Sequence, residues 1–179
     1  YKALDGAISA RNAFPDFEMK IACQTLKGIL NKESYDLIEE RIGHIDIIGS
    51  LPGADKGREA EHLDAVMDLA KYYNKMLHVH VDQLNDSDEK ETELLARKTM
   101  DWGLEGRVVA VHSISLACHP QKYRKEVYRM AKDAGLMFVS CPTAWIDHPR
   151  TEKLVPSHNA ITPVDELIEN DLIVALGSD

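Results

Sequence analysis

Six short apolar runs recur along the chain, each bounded by polar or turn-forming residues. They cover residues 19–23, 45–48, 76–81, 108–112, 137–141 and 172–176. Because they are rich in Val, Ile, Leu and Met with little polar alternation, we expect strands that are buried on both faces. The segments between them place apolar residues at helical spacing, as at Leu63, Val66 and Met67, which predicts amphipathic helices. Alternating strands and helices indicate parallel βα units.

Signals for helix ends support this division of the chain. Thr162 and Pro163 predict a helix start, with a hydroxyl cap and a proline at the first helical position. Gly135 predicts a helix end, because glycine readily adopts the left-handed conformation there. The acidic run 86–93 predicts another helix start, with solvated carboxylates near the positive end of the helix dipole.

Two folds built from parallel βα units compete, an open doubly wound sheet and a (β/α)8 barrel. No Gly-x-Gly-x-x-Gly motif follows the first predicted strand, which argues against a dinucleotide-binding sheet. Polar residues collect after the strands, as they do on the C-terminal face of a barrel, where active sites lie. We therefore expect an α/β fold, a TIM-like (β/α)8 barrel of which about six βα units are present.

Both ends of the chain fall within or directly beside predicted elements. Tyr1 lies in a predicted helix, and Asp179 comes shortly after the last apolar run. We expect residues 1–179 to be an internal part of one barrel domain, with N-terminal strands and a C-terminal segment missing.

Acidic residues outnumber basic ones, with 30 Asp and Glu against 21 Lys and Arg, for a formal net charge of −9. Nucleic-acid binding needs a basic face, so we expect no nucleic-acid partner. The apolar runs are far shorter than the roughly 20 residues that cross a bilayer, so we expect no membrane partner. The widely spaced Cys23, Cys118 and Cys141 favour a reducing compartment, the cytoplasm.

Three residues that could hold a metal ion stand at predicted strand ends. His80, His112 and Asp179 lie at the ends of the third, fourth and sixth runs. In a barrel these ends converge, and imidazole with carboxylate is the ligand set of catalytic zinc or iron(II). A single histidine at a strand end is more often a hydrogen-bonded loop residue than a ligand, but the three positions together favour a metal site. His78, two residues before His80, could be a second ligand, and we interpret it as a core histidine. We interpret His62 as a surface residue.

Five ordered segments resemble the cytosine-deaminase-like branch of the amidohydrolase superfamily. They are residues 77–83 (LHVHVDQ), 109–113 (VAVHS), 137–143 (MFVSCPT), 160–167 (AITPVDEL) and 175–179 (ALGSD). The resemblance implies a (β/α)8 barrel whose third to eighth strands are present. It also implies a hydrolase that cleaves C–N bonds with a metal-activated water.

The resemblance further implies roles for individual residues. His80 would be a metal ligand, and Asp179 a metal ligand that also acts as the general base. His112 would polarise the attacking water and the tetrahedral intermediate. Binuclear members bridge their metals with a lysine from the strand that corresponds to residues 45–48, and this run contains no lysine. The resemblance therefore implies a single divalent ion, zinc or iron.

Several positions depart from the cytosine deaminase pattern. Gln83 stands where those enzymes have a proton-shuttling glutamate, and a neutral amide cannot carry a proton between substrate and leaving group. Leu26 takes the place of their pyrimidine-reading glutamine, with Gln24 two residues earlier, and Trp145 replaces a smaller polar residue. We expect these residues and Asp82 to form a pocket for a substrate bulkier or less polar than cytosine.

The expected function is therefore a metal-dependent hydrolase of C–N bonds, a deaminase or amidohydrolase, with a small cyclic or amide-like molecule as its partner. The alternative is a non-catalytic fragment or pseudoenzyme that keeps the fold without a complete metal site. An open-sheet nucleotide-binding protein would need a glycine-rich phosphate loop, which the sequence lacks. A homo-oligomer is left open.

Overall fold

A computed structural model describes residues 2–143 and 160–178, so that Trp145 and Asp179 lie outside the described residues. The strands within them are β1 (Ala22–Cys23), β2 (Ile47–Ser50), β3 (Met76–Val81), β4 (Val108–His112), β5 (Met137–Ser140) and β6 (Ile173–Leu176). The α-helices are α1 (Lys2–Ala13), α2 (Lys32–Arg41), α3 (Glu59–Tyr72), α4 (Glu91–Trp102), α5 (Gln121–Asp133) and α6 (Val164–Glu169). No helix in these ranges is long and apolar enough to cross a membrane.

The strands form one sheet in which every neighbouring pair is parallel and the spatial order follows the chain order from β1 to β6. A doubly wound sheet reverses its strand order at a switch point, whereas a barrel adds each strand beside the last. The predicted part of a (β/α)8 barrel is therefore confirmed. Within the described residues the sheet is not closed, and β1 and β6 are its edges.

The two faces of the sheet pack differently. On β3 the residues of one parity are fully buried in the main core under the helices: Leu77, Val79 and Val81. His78 and His80 lie on the other face, in register with Val109 and Val111 of β4. These two valines belong to a small second cluster with Cys141. The half-buried histidines thus share the second face with a much smaller apolar cluster.

The first two strands differ from their predicted bounds, whereas the other four match to within one residue. Only two residues of the run 19–23 belong to β1. The Ile21 carbonyl accepts the backbone N–H groups of Asp46 and Ile47, at 2.9 and 3.1 Å. The Asp46 carboxylate accepts the Ile21 N–H at 2.8 Å. A side-chain bond therefore replaces the regular ladder just before the two strands pair.

One predicted helix end is confirmed and one predicted cap is wrong. Gly135 has φ +59°, and a Cβ there would lie 2.8 Å from the backbone nitrogen of Gly106, so this position requires glycine. At α6 no side chain caps the N-terminus. The Thr162 hydroxyl donates instead to the carbonyl oxygen of His112. Thr162 therefore ties the segment before α6 to the end of β4.

Candidate active site

His80 and His112 lie at the ends of adjacent strands, and their rings meet. His80 Nδ1 and His112 Nε2 are 3.0 Å apart, with ring centroids separated by 5.0 Å and planes inclined at 61°. At this distance one nitrogen carries the shared proton and the other accepts it. His112 is buried, whereas His80 is half-buried. The structure thus brings together two of the three predicted site residues.

The backbone of His112 decides where its ring lies. Strand alternation would place this side chain on the face of Val108, which belongs to the main core. However, His112 has φ +74° and Ser113 has φ +51°, so the strand ends in two left-handed residues. Outside glycine this conformation is uncommon, and Asn, Asp and His adopt it most readily. The change of direction allows the ring to reach His80.

Asp82, at the end of β3, also has a left-handed backbone, with φ +52°. Alternation would place its side chain on the face of His80. Its carboxylate accepts the backbone N–H groups of Glu91 at 2.7 Å and Thr92 at 3.1 Å, where α4 begins. Burial raises the pKa of this carboxyl group. In this structure Asp82 caps α4, and its contact with substrate stays a prediction.

A cleft of about 400 Å³ brings together two of the predicted substrate-binding residues. Its lining consists of Leu26, Leu51, Gly53, Ala54, Gln83, Leu84, Glu89 and Glu91. The walls are contributed by the segments that follow β1, β2 and β3. Leu26 also borders a second cleft of about 330 Å³, which includes Gln24. The substrate contacts of Leu26, Gln83 and Gln24 stay predictions, but their placement at the strand ends suits them.

Two carboxylates of this cleft were predicted to be solvated and are half-buried. Glu91 accepts the backbone N–H of Asp82 at 3.1 Å, so the two acids cap each other's backbone. Burial, with the nearby carboxylates of Asp82 and Glu89, raises the pKa of Glu91 to about 7. Glu89 accepts the Leu84 N–H and the Ser115 hydroxyl, each at 2.6 Å. The predicted solvated acidic run is therefore wrong at these two positions.

The prediction that His62 lies on the surface is also wrong, because it is 1% exposed. Its ring lies between Ser50 and Asp55. His62 Nε2 is 2.8 Å from Ser50 Oγ, and His62 Nδ1 is 2.6 Å from Asp55 Oδ2. These partners precede His62 by 12 and 7 residues, so no local spacing signals the contact.

A metal ion would need more ligands than the described residues bring together. Within residues 2–143 and 160–178, no group of three or more His, Cys, Asp or Glu side chains could hold a metal ion. His80 and His112 offer imidazole nitrogen, a donor that suits zinc and iron. Asp179, the predicted carboxylate ligand, lies outside the described residues. The imidazole donors therefore fit zinc or iron, but the described residues supply only part of a complete set of metal ligands.

Comparisons with known sequences give two informative relatives, although no family model matches the chain. An uncharacterized protein of Haemophilus influenzae is 43% identical over 171 residues, which cover 93% of this chain and 62% of that protein. N-isopropylammelide isopropyl amidohydrolase of Pseudomonas sp. is 26% identical over 144 residues, which cover 78% of this chain and 36% of that protein. The chain thus spans less than two thirds of either relative.

Comparison with solved structures gives a deaminase with the same fold over nearly the whole chain. The 5-methylcytosine deaminase from Klebsiella pneumoniae, liganded with 5-fluorocytosine, matches with a TM-score of 0.89 at 25% identity, covering 99% of this chain and 44% of that one. The match confirms the resemblance to the amidohydrolase superfamily that the five segments predict.

Two further solved structures share the fold of this chain. N-isopropylammelide isopropylaminohydrolase from Burkholderia multivorans matches with a TM-score of 0.81 at 18% identity, covering 98% of this chain and 43% of that one. A mutant atrazine chlorohydrolase from Arthrobacter aurescens, complexed with zinc and atraton, matches with a TM-score of 0.58 at 16% identity. That match covers 95% of this chain and 40% of the chlorohydrolase.

Proposed function

We propose that this protein is a metal-dependent enzyme that hydrolyses a C–N bond of a small cyclic or amide-like substrate. The observation that carries the proposal is the hydrogen bond between His80 and His112 at the ends of adjacent parallel strands. The C-terminal ends of barrel strands are where enzymes of this architecture place their catalytic groups.

Each residue has a distinct role in the proposed reaction. A zinc or iron ion, when bound, would lower the pKa of a water molecule to about 7. His80 would offer that ion a ring nitrogen, and Asp179 a carboxylate oxygen. His112 would hydrogen-bond the attacking water and the oxygen of the tetrahedral intermediate. Asp179 would take the proton of the water and deliver it to the leaving nitrogen.

The cleft beside the strand ends favours a substrate less polar than cytosine. Leu26, Leu51 and Leu84 give it apolar walls, and Gln83 supplies an amide that can bond a substrate without carrying a proton. The name of the Pseudomonas relative describes a substrate with an isopropyl group, which would suit such walls. We propose that Trp145 stacks on the substrate ring.

A substrate panel tests this proposal. The protein, expressed from its complete coding sequence and loaded with metal, is offered aminopyrimidines, aminotriazines, N-substituted triazines and cyclic amides, and released ammonia or amine is measured. We expect an N-substituted compound to react, and cytosine to react at least ~10²-fold more slowly, because proton shuttling is lost at Gln83. Leu26→Gln should shift the preference toward cytosine. Efficient cytosine deamination that Gln83→Ala leaves unchanged would contradict the pocket assignment.

A non-catalytic member of the same fold is the second candidate. The observation in its favour is that the described ranges contain no group of three potential metal ligands. It predicts neither bound metal nor turnover for the protein expressed from its complete coding sequence. The 179-residue chain alone should bind metal poorly under either proposal. A His-x-His segment encoded upstream would favour the enzyme, and its absence would favour the non-catalytic protein.

We also propose a cytoplasmic location. The odd number and wide spacing of Cys23, Cys118 and Cys141 support a reducing compartment. Burial raises the pKa of Cys118 to about 11, so this thiol stays protonated and unreactive at neutral pH. When cells are lysed directly into denaturant that contains the alkylating agent and no reductant, unfolding exposes the buried thiols, and mass spectrometry should show all three cysteines alkylated.

A further inference from the structure

A buried relay of three side chains joins the end of β2 to α3. Ser50 and His62 are 2% and 1% exposed. Ser50 Oγ lies 2.8 Å from His62 Nε2, and Asp55 Oδ2 lies 2.6 Å from His62 Nδ1. Because a carboxylate only accepts, Nδ1 donates to Asp55 and Nε2 accepts the Ser50 hydroxyl. Burial lowers the pKa of His62, so this neutral form prevails at neutral pH.

The far end of the relay holds the loop after β1. Asp55 Oδ2 also accepts the backbone N–H groups of Ile29 at 2.8 Å and Leu30 at 3.2 Å. Gly28 has φ +81°, and a Cβ at this position would overlap the Asp55 carboxylate. Burial alone would raise the pKa of Asp55, but the hydrogen bonds that it accepts lower it, so the group is ionised at neutral pH.

The relay connects the loop after β1 with the segment after β2, and both of them line the 400 Å³ cleft. Leu26 comes two residues before Gly28, in the loop that Asp55 holds. Residues 51–54 lie between Ser50 and Asp55, and they contribute Leu51, Gly53 and Ala54 to the lining. A displacement of Asp55 would therefore move one wall relative to the other.

We propose that His62 is a positioning residue for substrate binding, because it holds the loop after β1 and the segment after β2 at a fixed separation across the cleft. The proposal rests on the proposed function, since it concerns the same substrate cleft. His62 acts through Asp55 and does not touch the substrate. A nucleophilic role for this Ser–His–Asp set does not fit, because Ser50 is buried and lines neither cleft described above.

Two substitutions of His62 distinguish its hydrogen bond to Asp55 from its hydrogen bond to Ser50. His62→Asn keeps an amide donor near the place of Nδ1, within reach of Asp55, whereas the longer His62→Gln puts its amide near Ser50. We expect His62→Gln to raise KM for the best panel substrate about tenfold and to leave kcat within about twofold of the wild type. This effect is smaller than the ~10²-fold loss of rate that follows a ~1 Å misplacement of reacting groups. His62→Asn should keep KM within about threefold of the wild type. His44→Gln, at an exposed position, is the matched control.

Amide hydrogen exchange gives a readout that needs no substrate. The Ile29 and Leu30 amides, which donate to Asp55, should exchange at least about tenfold faster in His62→Gln and near the wild-type rate in His62→Asn. Circular dichroism melts check that each variant folds. If His62→Gln does not fold, Asp55→Asn, which weakens the same link, takes its place.

A KM for His62→Gln equal to that of the wild type would overturn the proposal. So would unchanged exchange of Ile29 and Leu30, or a loss of kcat with no change in KM, which would place His62 in the chemistry instead. If the wild-type protein turns over no compound of the panel, the proposed function has failed. The exchange rates then decide by themselves whether the relay holds the loop.

Discussion

Two histidine networks lie near the carboxyl ends of neighbouring strands, and they differ in their partners and their burial. His62 lies between the Ser50 hydroxyl and the Asp55 carboxylate and is 1% exposed. His80 and His112 bond each other, and His80 is half-buried. A ring that donates from one nitrogen and accepts at the other within the protein has no capacity left for a ligand. The contact between His80 and His112 joins His80 Nδ1 to His112 Nε2 at the ends of adjacent strands.

A histidine that lies near a strand end is therefore not by that alone an active-site residue. We expect the buried hydroxyl, imidazole and carboxylate between β2 and α3 to stabilise the fold, and the imidazole pair at the ends of β3 and β4 to serve the chemistry. Substitutions in the His80–His112 pair should therefore lower mainly activity, and substitutions in the Ser50–His62–Asp55 relay should lower mainly stability.

The largest effect is expected on activity. His112→Ala removes the group that we propose to polarise the attacking water, and it should lower kcat for the best panel substrate by ~10²–10⁴-fold. The exposed His44→Ala is the matched control and should keep wild-type activity. Unchanged kcat in His112→Ala would contradict the assignment of the pair to the site.

Substitution of His62 in the relay should instead act mainly on stability. His62→Ala leaves the buried Ser50 hydroxyl and the Asp55 carboxylate without their ring partner, which should lower the free energy of unfolding by about 1–3 kcal/mol. His80→Ala, at a half-buried position, should lower it by less than about 1 kcal/mol. Urea denaturation of both variants measures the difference. The reverse order would contradict the division between the two networks.

Glu91, which lines the cleft and bonds to Asp82, should make stability depend on pH. Its pKa is about 7 in the folded protein, above its ordinary value near 4.5, because it is buried. The folded state then holds the proton more tightly than the unfolded chain, so this contribution to stability is full below pH 4.5 and falls between pH 4.5 and 7.

Glu91→Gln keeps an acceptor for the Asp82 N–H but cannot ionise. We expect it to be more stable than the wild type by about 2 kcal/mol at pH 8, and by much less at pH 4.5, allowing for partial exposure of the group. Urea denaturation at the two pH values measures this. An equal difference at both would show that Glu91 is ionised normally.

Substitution of Asp82 should have a small effect, and it should change the stability of the fold rather than substrate binding. Asp82→Ala removes the cap of α4 and should cost about 1 kcal/mol in the free energy of unfolding, with KM unchanged. Asp82→Asn, which can still accept a backbone hydrogen bond, should cost less. A raised KM with unchanged stability would show that Asp82 contacts the substrate, as the sequence predicts.

Much of the fold could be predicted because the central strands β2, β3 and β4 are buried or half-buried along most of their length, whereas the edge strand β6 is largely exposed. Buried strands appear in the sequence as nearly continuous apolar runs, and β3 and β4 match their predicted bounds. At β1 the prediction was too long, because the Asp46 side chain bonds the Ile21 backbone and replaces part of the ladder. That contact spans 25 residues, so no local pattern reveals it.

The site could be predicted only as far as the strand ends. The positions of His80 and His112 follow from the apolar runs, but their contact depends on the left-handed backbone at His112, which alternation does not foresee. The same conformation at Asp82 accompanies a carboxylate bonded to α4. The burial of His62 depends on partners that the fold brings together from β2 and the segment after it.

The most direct test of the central claim is a metal titration of apo protein expressed from its complete coding sequence, with bound metal and amine release measured together. We predict that activity rises in proportion to added zinc or iron and saturates at about one ion per chain, as one site of imidazole and carboxylate donors requires. His80→Ala should bind less metal and stay inactive. Two ions per chain, full activity without metal, or unchanged metal binding in His80→Ala would contradict the account.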